Sequence, residues 1–144
     1  MSFHDAGRFE AVFFDVGNTL VEQANPGTPV SELRTVVLPG VHQAIEKLRT
    51  VTRLGIVSNT TVMTEQDLRS LLSTEGLSSC FELVVATADL GVHKPSPLPL
   101  LHAASVMGVD ASRCLYVGDI ESDAIAAHAA GMEFCYTGPD LEWA

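Results

Sequence analysis

The stretch AVFFDVGNTL, residues 11–20, decides the fold. Its first four residues form a continuous apolar run, which is typical of a parallel strand buried on both faces. Asp15 follows directly, where that strand would end. The same pattern recurs in LGIV (54–57), LVVA (83–86), CLYV (114–117) and EFCY (133–136). The sequence therefore predicts five short strands inside one sheet.

Amphipathic stretches separate these apolar runs and predict helices over 41–50, 64–76, 97–109 and 121–132. Gly76, Gly108 and Gly131 stand where glycine commonly ends a helix. Alternation of strands and helices predicts an α/β protein: a three-layer, Rossmann-like fold with a central, mainly parallel sheet and helices on both faces.

Length and charge narrow the functional classes. A chain of 144 residues fits one domain, residues 1–144. The net charge of −10 argues against a nucleic-acid partner, because binding to the phosphate backbone needs clustered Lys and Arg. No apolar run approaches the roughly 20 residues that cross a bilayer, and the N-terminus has no apolar leader. We therefore expect a cytoplasmic protein without a membrane partner.

The three cysteines indicate a reducing compartment. Their number is odd and no two are spaced as CxxC, so we expect buried free thiols. They are Cys80, Cys114 and Cys135.

Polar residues follow the predicted strands. Because ligands bind beyond the carboxyl ends of the strands in such sheets, these residues are expected to converge at one edge. They are Asp15, Ser58, Asn59, Lys94, Asp119 and Asp123. Carboxylates, a hydroxyl and a lysine at one edge form a catalytic constellation.

Four motifs in order resemble the haloacid dehalogenase-like (HAD) hydrolase superfamily over residues 10–137. They are FFDVGNTL (13–20), VSNT (57–60), GVHKP (91–95) and VGDIESD (117–123). One such motif would be weak, but four in the expected structural context are specific. The resemblance implies a phosphatase-type hydrolase that forms an aspartyl-phosphate.

By this resemblance Asp15 is the catalytic nucleophile, since a carboxylate can attack phosphorus and divide one displacement into two easier ones. The alternative is a turn-capping Asp. Thr19 would brace the turn that holds Asp15.

The resemblance also implies a Mg²⁺ site, because a hard cation prefers oxygen ligands. Asp15, Asp119 and the main-chain carbonyl of Gly17 would be its ligands, and Asp123 would support them as part of the metal site. The alternative is that Asp119 caps the following helix while Asp123 complements its dipole.

Ser58 and Lys94 would hold the transferred phosphoryl group, with Lys94 contributing to catalysis as a point charge. The alternative for Lys94 is a solvated surface residue. Asn59 would add a hydrogen bond to the phosphate or form a turn. His93 is interpreted as a rim residue rather than a general base.

Gly17 departs from the family pattern, because phosphatases of the superfamily usually carry an acid–base Asp two residues after the nucleophile. A positioned acid–base group contributes about 10²–10⁴-fold. Three interpretations stay open: a slow phosphatase favouring activated leaving groups, a different reaction on this fold, or a weakly catalytic phosphate- or metal-binding regulatory protein. We favour the phosphatase.

A large cap domain is also missing. Residues 21–38 predict only a short flap, with a turn at Asn25-Pro26-Gly27, and Glu22 and Gln23 either touch substrate or are solvated. An open site leaves the exclusion of water to a large substrate or to a partner subunit. We expect a phosphorylated substrate, either a small molecule or a larger partner that covers the site. An oligomer is compatible with this expectation.

Overall fold

The computed structural model describes residues 6–22, 29 and 36–137. Five parallel strands form one sheet in the order β3-β2-β1-β4-β5. The strands are β1 (Ala11–Phe14), β2 (Arg53–Ser58), β3 (Leu83–Ala86), β4 (Cys114–Gly118) and β5 (Glu133–Tyr136). All five predicted strands are present, and their bounds agree with the apolar runs within one residue.

Within residues 36–137, five helices connect and cover the strands. They are α1 (Val41–Leu48), α2 (Glu65–Ser73), α3 (Thr87–Leu90), α4 (Leu98–Met107) and α5 (Glu121–Ala130). Short 3₁₀ turns cover Ser78–Cys80 and Ala111–Arg113. The four longer helices confirm the periodic stretches, whereas α3 was not predicted because a single turn is too short to show a helical period.

Local sequence explains where these helices begin and end. Thr64 accepts a hydrogen bond from the Asp67 N–H while the Asp67 carboxylate accepts from Thr64, which fixes the start of α2. Gly108 and Gly131 end α4 and α5 in the left-handed conformation, as predicted. Helix α2 ends earlier than predicted, with Thr74 as its C-cap and Gly76 left-handed two residues later.

Alternate residues of β1 face two different cores. Val12 and Phe14 pack into a cluster with α1 and α2, and Ala11 and Phe13 pack into a second cluster with α4 and α5. Both faces of the strand are therefore covered by helices, which explains its uninterrupted apolar sequence. The three-layer α/β prediction is confirmed.

The two ends of the short segment 21–38 pair with each other. Val21 pairs with Val37 in an antiparallel bridge, and the Glu22 N–H donates to the Val36 carbonyl at 2.8 Å. Gln23 and the predicted turn at 25–27 lie outside the described residues. Between β2 and β3 only α2 and a 3₁₀ turn intervene, so neither connection holds a large cap.

The expectation that the cysteines are buried thiols is confirmed. All three cysteines are buried thiols. No helix among residues 6–22 and 36–137 is long and apolar enough to cross a bilayer.

Candidate active site

Asp15 continues from β1 into the carboxyl edge of the sheet. Its N–H donates to the Val117 carbonyl of β4 at 2.9 Å, so the residue is held in register with the neighbouring strand. Its side chain is 13% exposed. Burial raises the pKa of Asp15 to about 6, which the Lys94 ammonium partly offsets and the Asp123 carboxylate reinforces.

The turn after Asp15 is held by main-chain hydrogen bonds. The N–H groups of Thr19, Leu20 and Val21 all point to the Val16 carbonyl at 2.9–3.2 Å. Asn18 takes a left-handed conformation (φ 58°), which Asn tolerates better than most residues. The Thr19 hydroxyl is fully buried and makes no hydrogen bond to any described residue, so the backbone braces this turn.

Asp123 is tied to the start of α5 and to the site at once. Its Oδ2 accepts from the N–H groups of Asp119 at 3.1 Å and Ile120 at 3.4 Å, and its Oδ1 accepts from the Lys94 ammonium at 2.7 Å. A Cβ at Gly118 would lie 2.7 Å from the Asp123 Cβ, so this approach requires glycine. Asp123 therefore interacts with the start of α5 and with Lys94 of the site at the same time.

Three carboxylates meet at this edge. Ligand oxygens of Asp15, Asp119 and Asp123 all lie within 4.8 Å of one another. Burial, followed by the nearby Asp123 charge, raises the pKa of Asp119. A partly buried set of hard oxygen donors with mutual repulsion fits a cation such as Mg²⁺, which would offset that repulsion. Both Asp123 oxygens are already engaged, so Asp15 and Asp119 are the carboxylates best able to coordinate it.

Lys94 is the cation of the site. Its side chain is only 1% exposed, so the alternative of a solvated surface lysine is wrong. The ammonium contacts Asp15 Oδ1 at 3.2 Å, Asp123 Oδ1 at 2.7 Å, the Val57 carbonyl at 3.3 Å and the Tyr116 hydroxyl. An ammonium donates three hydrogen bonds. Four acceptors within reach therefore allow one contact to be exchanged without leaving the lysine unpaired.

Tyr116 is a residue of the site that the sequence analysis missed. It is fully buried in β4, and its hydroxyl donates to the Val57 carbonyl at 2.6 Å and accepts from the Lys94 ammonium. Burial raises the pKa of Tyr116 well above 10. Its signal in the sequence is a phenol in the middle of an apolar strand, since a buried tyrosine hydroxyl needs a partner.

Asn59 holds the backbone of Lys94. Its Oδ1 accepts from the Lys94 N–H at 2.9 Å, and its Nδ2 donates to the Lys94 carbonyl at 3.0 Å. Ser58, at the end of β2, is 6% exposed, and its hydroxyl makes no hydrogen bond within residues 6–22 and 36–137. The expected phosphate contacts of Ser58 and Asn59 stay predictions, but the structure assigns Asn59 a second role in positioning Lys94.

A threonine pair fixes the loop that carries Asn59. The Thr87 hydroxyl accepts from the Thr60 N–H at 2.9 Å, and the Thr60 hydroxyl accepts from the Ala88 N–H at 3.1 Å. His93 Nδ1 lies 2.6 Å from the Thr87 hydroxyl. Helix α3 therefore connects the loops that carry Asn59 and Lys94, and His93 contacts α3 at Thr87.

Comparison with known proteins agrees with this geometry. The family model described as haloacid dehalogenase-like hydrolase matches residues 13–137. The chain belongs to this family. Among solved structures, a HAD-superfamily hydrolase from Geobacter sulfurreducens superposes with a TM-score of 0.75 at 18% identity, covering 93% of this chain and 94% of that one. This likeness shows the shared HAD fold.

Two curated relatives of this HAD chain are named phosphoglycolate phosphatase. One, from Neisseria gonorrhoeae, is 52% identical over 61 residues, which are 42% of this chain and 26% of that protein. Another, the plasmid protein of Cupriavidus necator, is 38% identical over 109 residues, which are 72% of this chain and 46% of that protein. The chain thus spans less than half the length of these curated relatives.

Proposed function

We propose that this HAD-family chain is a Mg²⁺-dependent phosphatase that hydrolyses a phosphomonoester through an aspartyl-phosphate on Asp15. The proposal is carried by one observation: the buried Asp15 carboxylate lies 3.2 Å from the Lys94 ammonium and within 4.8 Å of the other two carboxylates. A nucleophile beside a cation, next to a cluster of oxygen donors, is the arrangement that phosphoryl transfer needs.

Asp15 and Asp119 would hold the Mg²⁺, with the Gly17 carbonyl as a third protein ligand and Asp123 holding the two neighbouring loops in place. The metal would supply positive charge beside the phosphoryl oxygens. Asp123 contributes by orientation, because its own oxygens are bonded to Lys94 and to the start of α5.

Lys94 and Ser58 would bind the phosphoryl oxygens. Lys94 exchanges one of its four present contacts, and we infer that this is the long one to the Val57 carbonyl, since Tyr116 also donates to that oxygen. The Ser58 hydroxyl donates to a second phosphoryl oxygen. Asn59 acts mainly through Lys94, whose backbone it holds on both sides.

The substrate class follows from the relatives and from the open site. The names of the curated relatives favour a small phosphorylated molecule. A larger phosphorylated partner that covers the site also fits, because the segment 21–38 stands in place of a cap. Cytoplasmic residence, a single domain and an oligomer are compatible with this function and belong to the proposal.

Turnover of p-nitrophenyl phosphate tests the proposal. Wild-type protein should hydrolyse it in the presence of Mg²⁺ and lose turnover with a chelator, and Asp15→Asn should lose turnover under both conditions. Asp110→Asn is the matched control, since Asp110 is exposed before β4. Equal rates for wild type and Asp15→Asn would reject Asp15 as nucleophile.

A second candidate is a weakly catalytic protein that binds phosphate or metal in a regulatory role. Gly17 favours it, because a glycine supplies no acid–base group beside the nucleophile. This candidate predicts that Mg²⁺ and orthophosphate raise the melting temperature by mass action while Mg²⁺-dependent turnover is absent. Turnover that is lost in Asp15→Asn would exclude it.

A further inference from the structure

The phosphate side and the leaving-group side of this site are built differently. Lys94, Asp123 and Tyr116 are each buried to at least 96%, and the Lys94 ammonium contacts the Asp15 carboxylate. An in-line displacement places the leaving group opposite the nucleophile. The leaving group must therefore depart toward the open rim, where the chain runs through the turn after Asp15.

The described part of this rim offers no positioned proton donor. Gly17 has no side chain, and Asn18 carries an amide that does not titrate. Glu22 is exposed on the flap base, and the ring of His93 is held against Thr87. The titratable groups that converge at the carboxyl edge have other roles.

These groups are the three carboxylates and the lysine of the site. Asp15 would be the nucleophile, Asp119 would hold the metal, and Asp123 is bonded through both oxygens. The proton of the Tyr116 hydroxyl is committed to the Val57 carbonyl. None of these can protonate an oxygen that leaves on the opposite side of phosphorus.

We propose that this site selects phosphate compounds whose leaving oxygen is weakly basic, such as acyl, enol or aryl phosphates, over simple alkyl phosphates. This inference rests on the proposed phosphatase function. It also predicts that 2-phosphoglycolate, an alkyl phosphate, is a poor substrate, although the curated relatives are named for it.

The chemistry balances without a protein acid. An Asp15 oxygen forms a bond to phosphorus as the bond from phosphorus to the leaving oxygen breaks, and the electron pair departs with that oxygen as an anion. The anion takes a proton from bulk water only after it has left. Water then attacks the aspartyl-phosphate, the acyl oxygen–phosphorus bond breaks, the carboxylate is restored and both water protons leave on dihydrogen phosphate.

A leaving-group series tests this selection with the full-length protein and Mg²⁺. The value of kcat/KM should be measured for acetyl phosphate, p-nitrophenyl phosphate, phenyl phosphate and 2-phosphoglycolate, because kcat/KM reports the step in which the leaving group departs. We expect it to fall along this series, with p-nitrophenyl phosphate exceeding 2-phosphoglycolate by about 10²–10⁴-fold, the usual contribution of a general acid.

Two substitutions at one position separate proton donation from crowding. Gly17 is not among the described residues with a positive φ, so a side chain at this position meets no left-handed backbone strain. Gly17→Asp should narrow the ratio of p-nitrophenyl phosphate to 2-phosphoglycolate by at least about tenfold by supplying an acid. The matched variant Gly17→Asn, which has the same size without an acid, should leave the ratio unchanged.

The outcomes separate the two proposals. Wild-type hydrolysis of all four compounds with similar kcat/KM, abolished in Asp15→Asn, would overturn the selection and leave the phosphatase standing. A ratio that widens in Glu22→Gln or His93→Gln would identify a proton donor and overturn the selection as well. If none of the four compounds is hydrolysed, the proposed phosphatase function is overturned, and the proposed leaving-group selection is overturned with it.

Discussion

The two edges of the sheet carry ion pairs of opposite character. At the amino edge Arg8–Glu133, Arg53–Glu82 and Arg113–Glu10 pair at 2.7–3.2 Å with side chains that are 44–65% exposed. At the carboxyl edge Lys94 pairs with Asp15 and Asp123, and its own side chain is 1% exposed. Exposed pairs contribute little to stability, whereas buried pairs carry a desolvation cost. Among the described residues, the costly buried ion pairs therefore lie where the chemistry is proposed.

The largest effect should come from breaking the buried pair. Lys94→Met keeps most of the side-chain volume but leaves the Asp123 carboxylate buried without its cation. We expect the free energy of unfolding to fall by about 3–5 kcal/mol, measured by urea denaturation in a chelator.

Lys47→Met is the matched control for this substitution. Lys47 is exposed on α1, so its replacement should change the free energy of unfolding by less than about 0.5 kcal/mol. Similar losses in the two variants would show that Lys94 has no special electrostatic role.

A smaller effect is expected where the chain approaches Asp123. In Gly118→Ala the new Cβ would lie 2.7 Å from the Asp123 Cβ, so the start of α5 must shift. Overpacking of this kind costs about 1–3 kcal/mol, which thermal or urea unfolding would measure. Gly7→Ala is the control, because its nearest neighbour would be the Val51 Cβ at 3.8 Å. A Gly118→Ala protein as stable as Gly7→Ala would contradict the close approach.

Tyr116 tests whether the carboxyl edge is arranged for binding rather than for packing alone. Tyr116→Phe removes the hydroxyl that contacts Lys94 and the Val57 carbonyl, so we expect a stability loss of about 1–2 kcal/mol. Inhibition by orthophosphate should also weaken by about three- to tenfold, because the lysine is less well positioned.

Phe134→Leu provides the comparison for Tyr116→Phe. The Phe134 ring lies 6.3 Å from the Tyr116 ring, so this variant disturbs the packing but keeps the hydroxyl. It should lower stability without changing phosphate affinity. If Tyr116→Phe behaves in the same way, Tyr116 serves packing only.

The sequence predicted repeating patterns, such as strands, better than it predicted contacts between residues that are distant in the chain. Continuous apolar runs located all five strands, because a strand that is buried on both faces needs apolar residues at successive positions. The residues after the strands located Asp15, Asp119 and Lys94 through the geometry of parallel sheets. Two features were not predicted: the Tyr116–Lys94 contact and the hydrogen bonds of Asn59 to the Lys94 backbone. They depend on which residues of distant segments face each other, and no local sequence pattern records that.

The smallest effect should come from the amino edge. The Arg53 hydrogen bonds lower the pKa of Glu82 below its ordinary value of 4.5. A carboxyl with a lowered folded-state pKa stabilises the protein above its unfolded-state pKa, and this contribution is lost as the pH falls through the folded-state value. Glu82→Gln should therefore cost less than about 1 kcal/mol at pH 7, and the difference from wild type should shrink below about pH 4.5. Urea denaturation at pH 7 and pH 3.5 measures both values. A loss at pH 7 as large as that of Lys94→Met would mean that the two edges of the sheet do not differ as their burial indicates.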